Sequence, residues 1–207
     1  MPKLADNFIL LEKIGLKIAP YKVVFNSKAA LNAADELGYP VVLKIGSDIH
    51  KKDVGGVITN IHNGLDMSEL WREMQENLEK NNVQPDEFVV QQQASGVELV
   101  VGLKKDPVFG DIIMLGSGGT MAEVIEDVVF RVCPITFQDA EEMISEIKAS
   151  KLLKGFRGEK PVNLEALKDA MFKLSRIHRH MEFREIDVNP LIVNEDGAFV
   201  ADARIVT

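Results

Sequence analysis

One cysteine, one tryptophan and two tyrosines in 207 residues leave several functions without material. Cys133 alone excludes an internal disulfide and any cysteine-rich zinc site. Its place after the apolar run 128–132 reads as a small buried hydrophobe. The chain has no basic run and no basic amphipathic helix, and its formal charge is −8, so general affinity for nucleic acid is not expected. No apolar stretch approaches the roughly 20 residues that cross a bilayer. The opening Met1-Pro2-Lys3-Leu4-Ala5-Asp6 lacks the apolar core and cleavage site of a signal peptide, so the expected compartment is the cytosol, away from membranes. Repeats, low-complexity tracts and long linkers are missing too. The length fits a single domain, 1–207, made of two approximate lobes, 1–86 and 87–207, parted at the polar stretch 80–86.

What is present alternates between two periods. Leu4, Phe8, Leu11 and Ile14 recur at helical spacing before Gly15. Residues 21–25 read as a strand, Ser27 as an N-cap, and 28–37 as a helix stopped by Gly38 and Pro40. Val41-Val42-Leu43-Lys44-Ile45 is a buried strand with one charge, followed by a polar loop 46–56 and a strand from Val57. Asp66 with Glu69 has the form of a capping box opening a helix through Trp71, Met74 and Leu78. Strands then dominate (88–92, 97–103, 112–115, 128–133), with helices capped by Thr136 and Asn163 before a closing hairpin. No regular βαβ period runs through this order, so the class is α+β.

Five features bear chemistry. In the closing hairpin, alternation turns Ile186, Val188 and Ile192 toward a core and Asp187 and Asn189 away from it. The turn is either Asn194–Gly197 or the tighter Asp196-Gly197 pair; both put Asp202 on the face of Asp187 and Asn189. Two carboxylates and an amide oxygen form a hard-oxygen set suited to Mg²⁺ and a substrate phosphate; the plain alternative is a solvated sheet face. Lys44, an ammonium in an apolar strand, either snorkels to water or meets an anion such as phosphate. His50, followed by Lys51 and Lys52 in a loop ending Gly55-Gly56, has the form of a phosphoryl-accepting nucleophile, against the alternative of a surface histidine. Gly118-Gly119 lets backbone N–H groups close on an anion, with Glu123, Asp127 and Arg131 beyond it on what reads as a wet strand face. Gln91, Gln92 and Gln93 precede Glu98, so strand backbone and one carboxylate are offered to a nucleoside.

In their order these segments resemble the ATP-grasp (β) subunit of the ADP-forming acyl-CoA synthetases, over nearly the whole chain. The motifs carrying the resemblance are Tyr39-Pro40-Val41-Val42-Leu43-Lys44, the run 48–57 with its His50-Lys51-Lys52, Gly96-Val97-Glu98-Leu99, and the run 105–110. Gly118-Gly119 with Glu123-Val124, Leu152-Leu153-Lys154-Gly155-Phe156-Arg157-Gly158, the run 185–191 and Val200-Ala201-Asp202-Ala203-Arg204 complete them. The resemblance implies a two-lobed ATP-grasp fold with ATP or ADP held between two sheets. It implies Lys44 on nucleotide phosphate, Glu98 and residues 91–93 near the nucleoside, and Asp187, Asn189 and Asp202 at the Mg²⁺. It makes His50 a second phosphohistidine that shuttles a phosphoryl group from a separate α subunit carrying the CoA-binding and CoA-ligase modules, in a hetero-oligomer. Two departures stand out: Lys52 where serine is common, and Gln92 where an acid is common, which removes a charged metal ligand there. Competing expectations are a free-standing ATP-grasp carboxylate ligase, against which the relay histidine argues, and a non-catalytic nucleotide-binding regulatory subunit.

Overall fold

The computed structural model describes residues 3–47, 51, 53–119, 127–155 and 160–207. They form two compact units, one of Met1–Asn7 with Ala19–Gln93, the other of Phe8–Ile18 with Ala94–Thr207. Helix α1 (Leu4–Lys13) contributes to both.

In the first unit a four-stranded sheet runs β2 (Tyr21–Val24), β5 (Phe88–Gln92), β3 (Val41–Ile45), β4 (Val57–Ile61). Helices α2 (Ser27–Leu37) and α3 (Gly64–Lys80) share a core with it. Alternation sorts β3: Val41, Leu43 and Ile45 join Ala30, Ala33, Ala34, Met67 and Met74 in that core, leaving Val42 and Lys44 on the opposite face. Each fully buried Leu or Ile of this kind contributes about 2 kcal/mol. Both caps fall one or more residues before the expected ones. Asn26, not Ser27, caps α2 by accepting from Ala29 N, and Asn63 caps α3 by accepting from Leu65 N and Asp66 N. Asp66 reaches back to His62 N instead of pairing with Glu69 in a box. Because β5 is laddered between β2 and β3, the first unit extends beyond Asp86 to Gln93.

The second unit holds a seven-stranded sheet ordered β1 (Lys17–Ile18), β10 (Gly197–Val200), β9 (Glu185–Asn194), β6 (Val97–Asp106), β7 (Gly110–Ser117), β8 (Val128–Val132), with β11 (Ala203–Val206) also on β9. Helix α4 (Phe137–Glu146) packs on β8 and on α6 (Leu164–Leu174), and α6 packs on β10. A short α5 (Ser150–Leu153) follows α4, so the Thr136-capped helix ends at Glu146 rather than near Ala149. Thr136 and Asp139 form a reciprocal capping box, and Asn163 caps α6 through Ala166 N. Phe137 and Phe172 stack with centroids 4.5 Å apart, fastening α4 to α6.

Register decides the hairpin. Asn194 pairs with Gly197, Val193 with Ala198 and Val188 with Ala203, the first of the two expected registers, with Glu195-Asp196 at the turn. The Asn194 side chain accepts from Asp196 N at 2.9 Å and Gly197 N at 3.2 Å, which fixes the turn chemistry. A register shift between Leu99 and Val101 on the β6 side moves the core face of β9 from Val188 to Leu191. Val188, Leu191 and Val101 accordingly line one small void with Leu174 of α6, while Ile192 is buried on the other face.

Candidate functional site

In the first unit, Lys44 and Gln91 meet. Lys44 pairs with Val89 across the β3–β5 ladder, which makes Gln91 its diagonal neighbour on the same face. Lys44 Nζ donates to Gln91 Oε1 at 2.6 Å, and Gln91 Nε2 donates to Ala19 O at 3.1 Å. Both side chains are buried, Lys44 at 5% exposure and Gln91 at 1%. Gln92 lies apart from them: it is exposed, its N–H bonds Pro20 O and its side chain reaches Leu37 O. Gln93 and Asn60 clasp each other twice, through Asn60 N to Oε1 at 2.7 Å and Nε2 to Asn60 Oδ1 at 2.8 Å. This fastening at the end of the unit has no local sequence signal. The loop after β3 is closed at its stem by Ile45 N to Gly56 O and Gly56 N to Lys51 O. His50 and Lys52 lie outside the described residues, as does Glu123.

In the second unit, Asp187, Asn189 and Asp202 come onto adjoining rungs. Asp187 faces Arg204 across β9–β11, and Asn189 N donates to Asp202 O at 3.1 Å, which places the two directly opposite. Asp187 and Asp202 are then diagonal neighbours. Gly102, the β6 partner of Asp187, puts no side chain of its own beside the carboxylate, and the Met114 methyl lies 3.4 Å from where its Cβ would be. Burial pushes the Asp187 carboxyl up, and the neighbouring Glu185 and Asp202 charges add to that, opposed by Arg204. Among the described residues no group of three or more His, Cys, Asp or Glu side chains is placed to hold a metal. The donor set here is two carboxylates and an amide. Mutual repulsion of half-buried carboxylates is what a divalent cation relieves, and few protein ligands are what Mg²⁺ takes beside phosphate, so the residues fit that ion.

Four residues along β6 from the Asp187 rung, Glu98 sits opposite Ile192. At about 3.3 Å per residue this is some 13 Å, on the scale of a nucleotide's phosphate chain and ribose. Glu98 lines a cavity of about 1000 Å³ with Gly96, Gly118, Gly119, Lys148, Leu152 and Lys160 among its walls. The glycine pair has a steric reason. Gly118 N bonds Glu98 O at 2.8 Å, and a Cβ on Gly118 would come within 2.8 Å of the Glu98 backbone. Gly119 has φ 78°, and a Cβ there would meet Glu98 Oε2 at 3.3 Å.

Asp127 does not lie on the wet strand face expected of it. It is buried, at 6% exposure, and accepts from Lys148 N at 2.7 Å, from Ala149 N at 3.0 Å and from the Ser117 hydroxyl. Ser117 N also bonds Asp127 O, so these residues close the base of the segment carrying Gly118-Gly119. Burial pushes the Asp127 carboxyl up, and the bonds from Lys148, Ser117 and Ala149 more than reverse it, holding it below the ordinary value. Arg131 does not join the site: its guanidinium pairs with Glu146 of α4. Lys148 and the Lys160–Glu195 pair, 2.6 Å apart, are cavity residues that sequence reasoning passed over.

Residues 5–207 match the ATP-grasp domain family. The chain belongs to this family. Among its relatives, the β subunit of ADP-forming acetate–CoA ligase I from Pyrococcus furiosus is 42% identical over 205 residues, covering 95% of this chain and 88% of that one. ADP-forming acetate–CoA ligase I of Archaeoglobus fulgidus is 41% identical over 98% of this chain, which spans 30% of that longer protein. Of solved structures, the Ca. Korarchaeum cryptofilum dinucleotide-forming acetyl-coenzyme A synthetase 1 with coenzyme A and Ca-AMPCP superposes at a TM-score of 0.91, with 40% identity, over 99% of this chain and 92% of that one. The same enzyme with Mg-AMPPCP, its phosphohistidine segment pointing towards the nucleotide binding site, gives 0.82. The ATP-grasp chain is thus of the ADP-forming acyl-CoA synthetase β-subunit type.

Proposed function

We propose that this ATP-grasp chain binds ADP or ATP with Mg²⁺ and transfers a phosphoryl group in the reaction acyl-CoA + ADP + phosphate ⇌ acid + CoA + ATP. The observation that carries the reading is the rung arrangement of the second unit, in which Asp187, Asn189 and Asp202 adjoin and Glu98 lies about 13 Å away along the same sheet. Asp187, Asn189 and Asp202 would hold the ion, whose charge would neutralise the phosphate oxygens. Lys44 would supply a fixed cation to the phosphates, and Glu98 would accept a ribose hydroxyl. Phosphoryl transfer asks for positioning and charge more than covalent help, which suits so small a set of groups.

His50 would carry the phosphoryl group on nitrogen. In the synthetic direction its imidazole takes the group from a donor on a separate α subunit and passes it to the terminal oxygen of ADP. The N–P bond breaks as the O–P bond forms, and the imidazole returns to its neutral state. The α subunit would bring the CoA-binding and CoA-ligase modules in a hetero-oligomer, and supply the choice of acid. The cytosol is the compartment this chemistry fits; no helix of the described residues is long and apolar enough to cross a membrane. Titration of the chain with ADP, with and without Mg²⁺, tests the reading. Mg²⁺-dependent binding that weakens at least tenfold in Asp202→Asn is expected; ADP binding indifferent to both changes would contradict it.

A further inference from the structure

Lys44 and Gln91 are joined side chain to side chain inside the first unit. The orientation of the Gln91 amide is settled by chemistry. Ala19 O can only accept, so the amide nitrogen must face it, and the Lys44 ammonium can only donate, so the amide oxygen must face Lys44. Both ends of the amide are engaged, at 2.6 and 3.1 Å, and the side chain is 1% exposed. Gln91 is fixed in turn by its backbone, laddered to Tyr21 on one side and Val42 on the other. A long lysine side chain has much rotamer freedom to lose when it meets a ligand, and this tether removes part of that freedom in advance. Because the acceptor is a neutral amide, the tether itself cancels none of the ammonium charge.

We infer that Gln91 is a positioning residue: it acts on the nucleotide phosphate through Lys44, holding the ammonium ready, and does not contact the nucleotide. The inference rests on the nucleotide-binding reading and replaces the expected role of Gln91 beside the nucleoside. It places Gln91 with Lys44 in energetic terms, so that the two form one unit of binding.

A double-mutant cycle on MgADP binding by calorimetry tests it, using Gln91→Leu, Lys44→Met and the pair. Gln91→Leu weakens MgADP about tenfold, the scale of ordering one long, freely rotating side chain on binding. In the Lys44→Met background the same change has less than a twofold effect. Gln91→Asn, one methylene shorter, behaves like Gln91→Leu and serves if the leucine variant does not fold, as judged by circular dichroism. A merely structural role would weaken binding by the same factor in both backgrounds. Equal factors, whether from direct contact or from general loosening, would overturn the inference while leaving the nucleotide reading intact. Failure of the unaltered chain to bind MgADP would overturn that reading, and the inference with it.

Discussion

Asp127→Asn probes the fastening beneath the glycine pair. The carboxylate accepts from Lys148 N, Ala149 N and the Ser117 hydroxyl at a site with 6% exposure. Asparagine keeps one acceptor oxygen. Turned to serve Ser117 and Ala149, it aims its NH₂ at Lys148 N–H, two donors facing each other at a buried site. Losing a bond to a charged acceptor and stranding its donor costs about 2–3 kcal/mol. For 207 residues this lowers Tm by roughly 4–12 °C. The carboxyl is held below its unfolded value, so its contribution is fully present above about pH 4 and lost as pH falls through the folded value. Asparagine does not titrate there. Differential scanning calorimetry of both proteins at pH 7, 5 and 3 should therefore show a gap that narrows at the lowest pH. A gap under 1 °C at pH 7, or one of equal size at all three, would refute the reasoning.

Three further variants probe the same geometry. Asp187→Asn should raise Tm in metal-free buffer at neutral pH: the folded carboxyl lies above its unfolded value, so its ionised form destabilises the fold once pH exceeds the unfolded value, and the amide removes that effect. The same variant should lose the Mg²⁺-dependent part of ADP binding, read by titration. Gly118→Ala should destabilise the fold by about 1–3 kcal/mol, because the new methyl meets Glu98 backbone at 2.8 Å and not a flexible side-chain tip; thermal melts check it. Arg131→Gln, which breaks the pair with Glu146 and the bond to Phe130 O, neither of them at the cavity, should leave MgADP affinity within twofold.

Much of this was legible in the chain because it is local. The α1, α4 and α6 regions follow helical spacing and cap residues, with Thr136 and Asn163 in the roles expected of them. The alternation Asp187, Asn189 and the hairpin partner Asp202 could be read from a period of two and a short turn. What was missed lies in pairings between distant segments. Lys44 and Gln91 are 47 positions apart, and only the β3–β5 ladder reveals them as diagonal neighbours. Asp127 looks like an exposed acid beside Arg131 until the turn before α5 brings Lys148 N and Ala149 N onto it. Asn26 and Asn63 cap in place of Ser27 and Asp66, residue types that the capping rules favour as well, so local sequence alone does not choose between them. The move of the core face from Val188 to Leu191 depends on a register shift, which alternation cannot foresee.

Phosphoryl labelling tests the central claim most directly. The chain is incubated with γ-labelled ATP and Mg²⁺, with and without an α subunit, beside a His50→Ala control. The account predicts acid-labile, base-stable label on the unaltered chain and none on the control, the behaviour of a phosphohistidine at position 50. ATP binding without label in either condition, or equal label on the control, would contradict the relay and return the chain to the company of direct ligases or regulatory nucleotide-binding subunits.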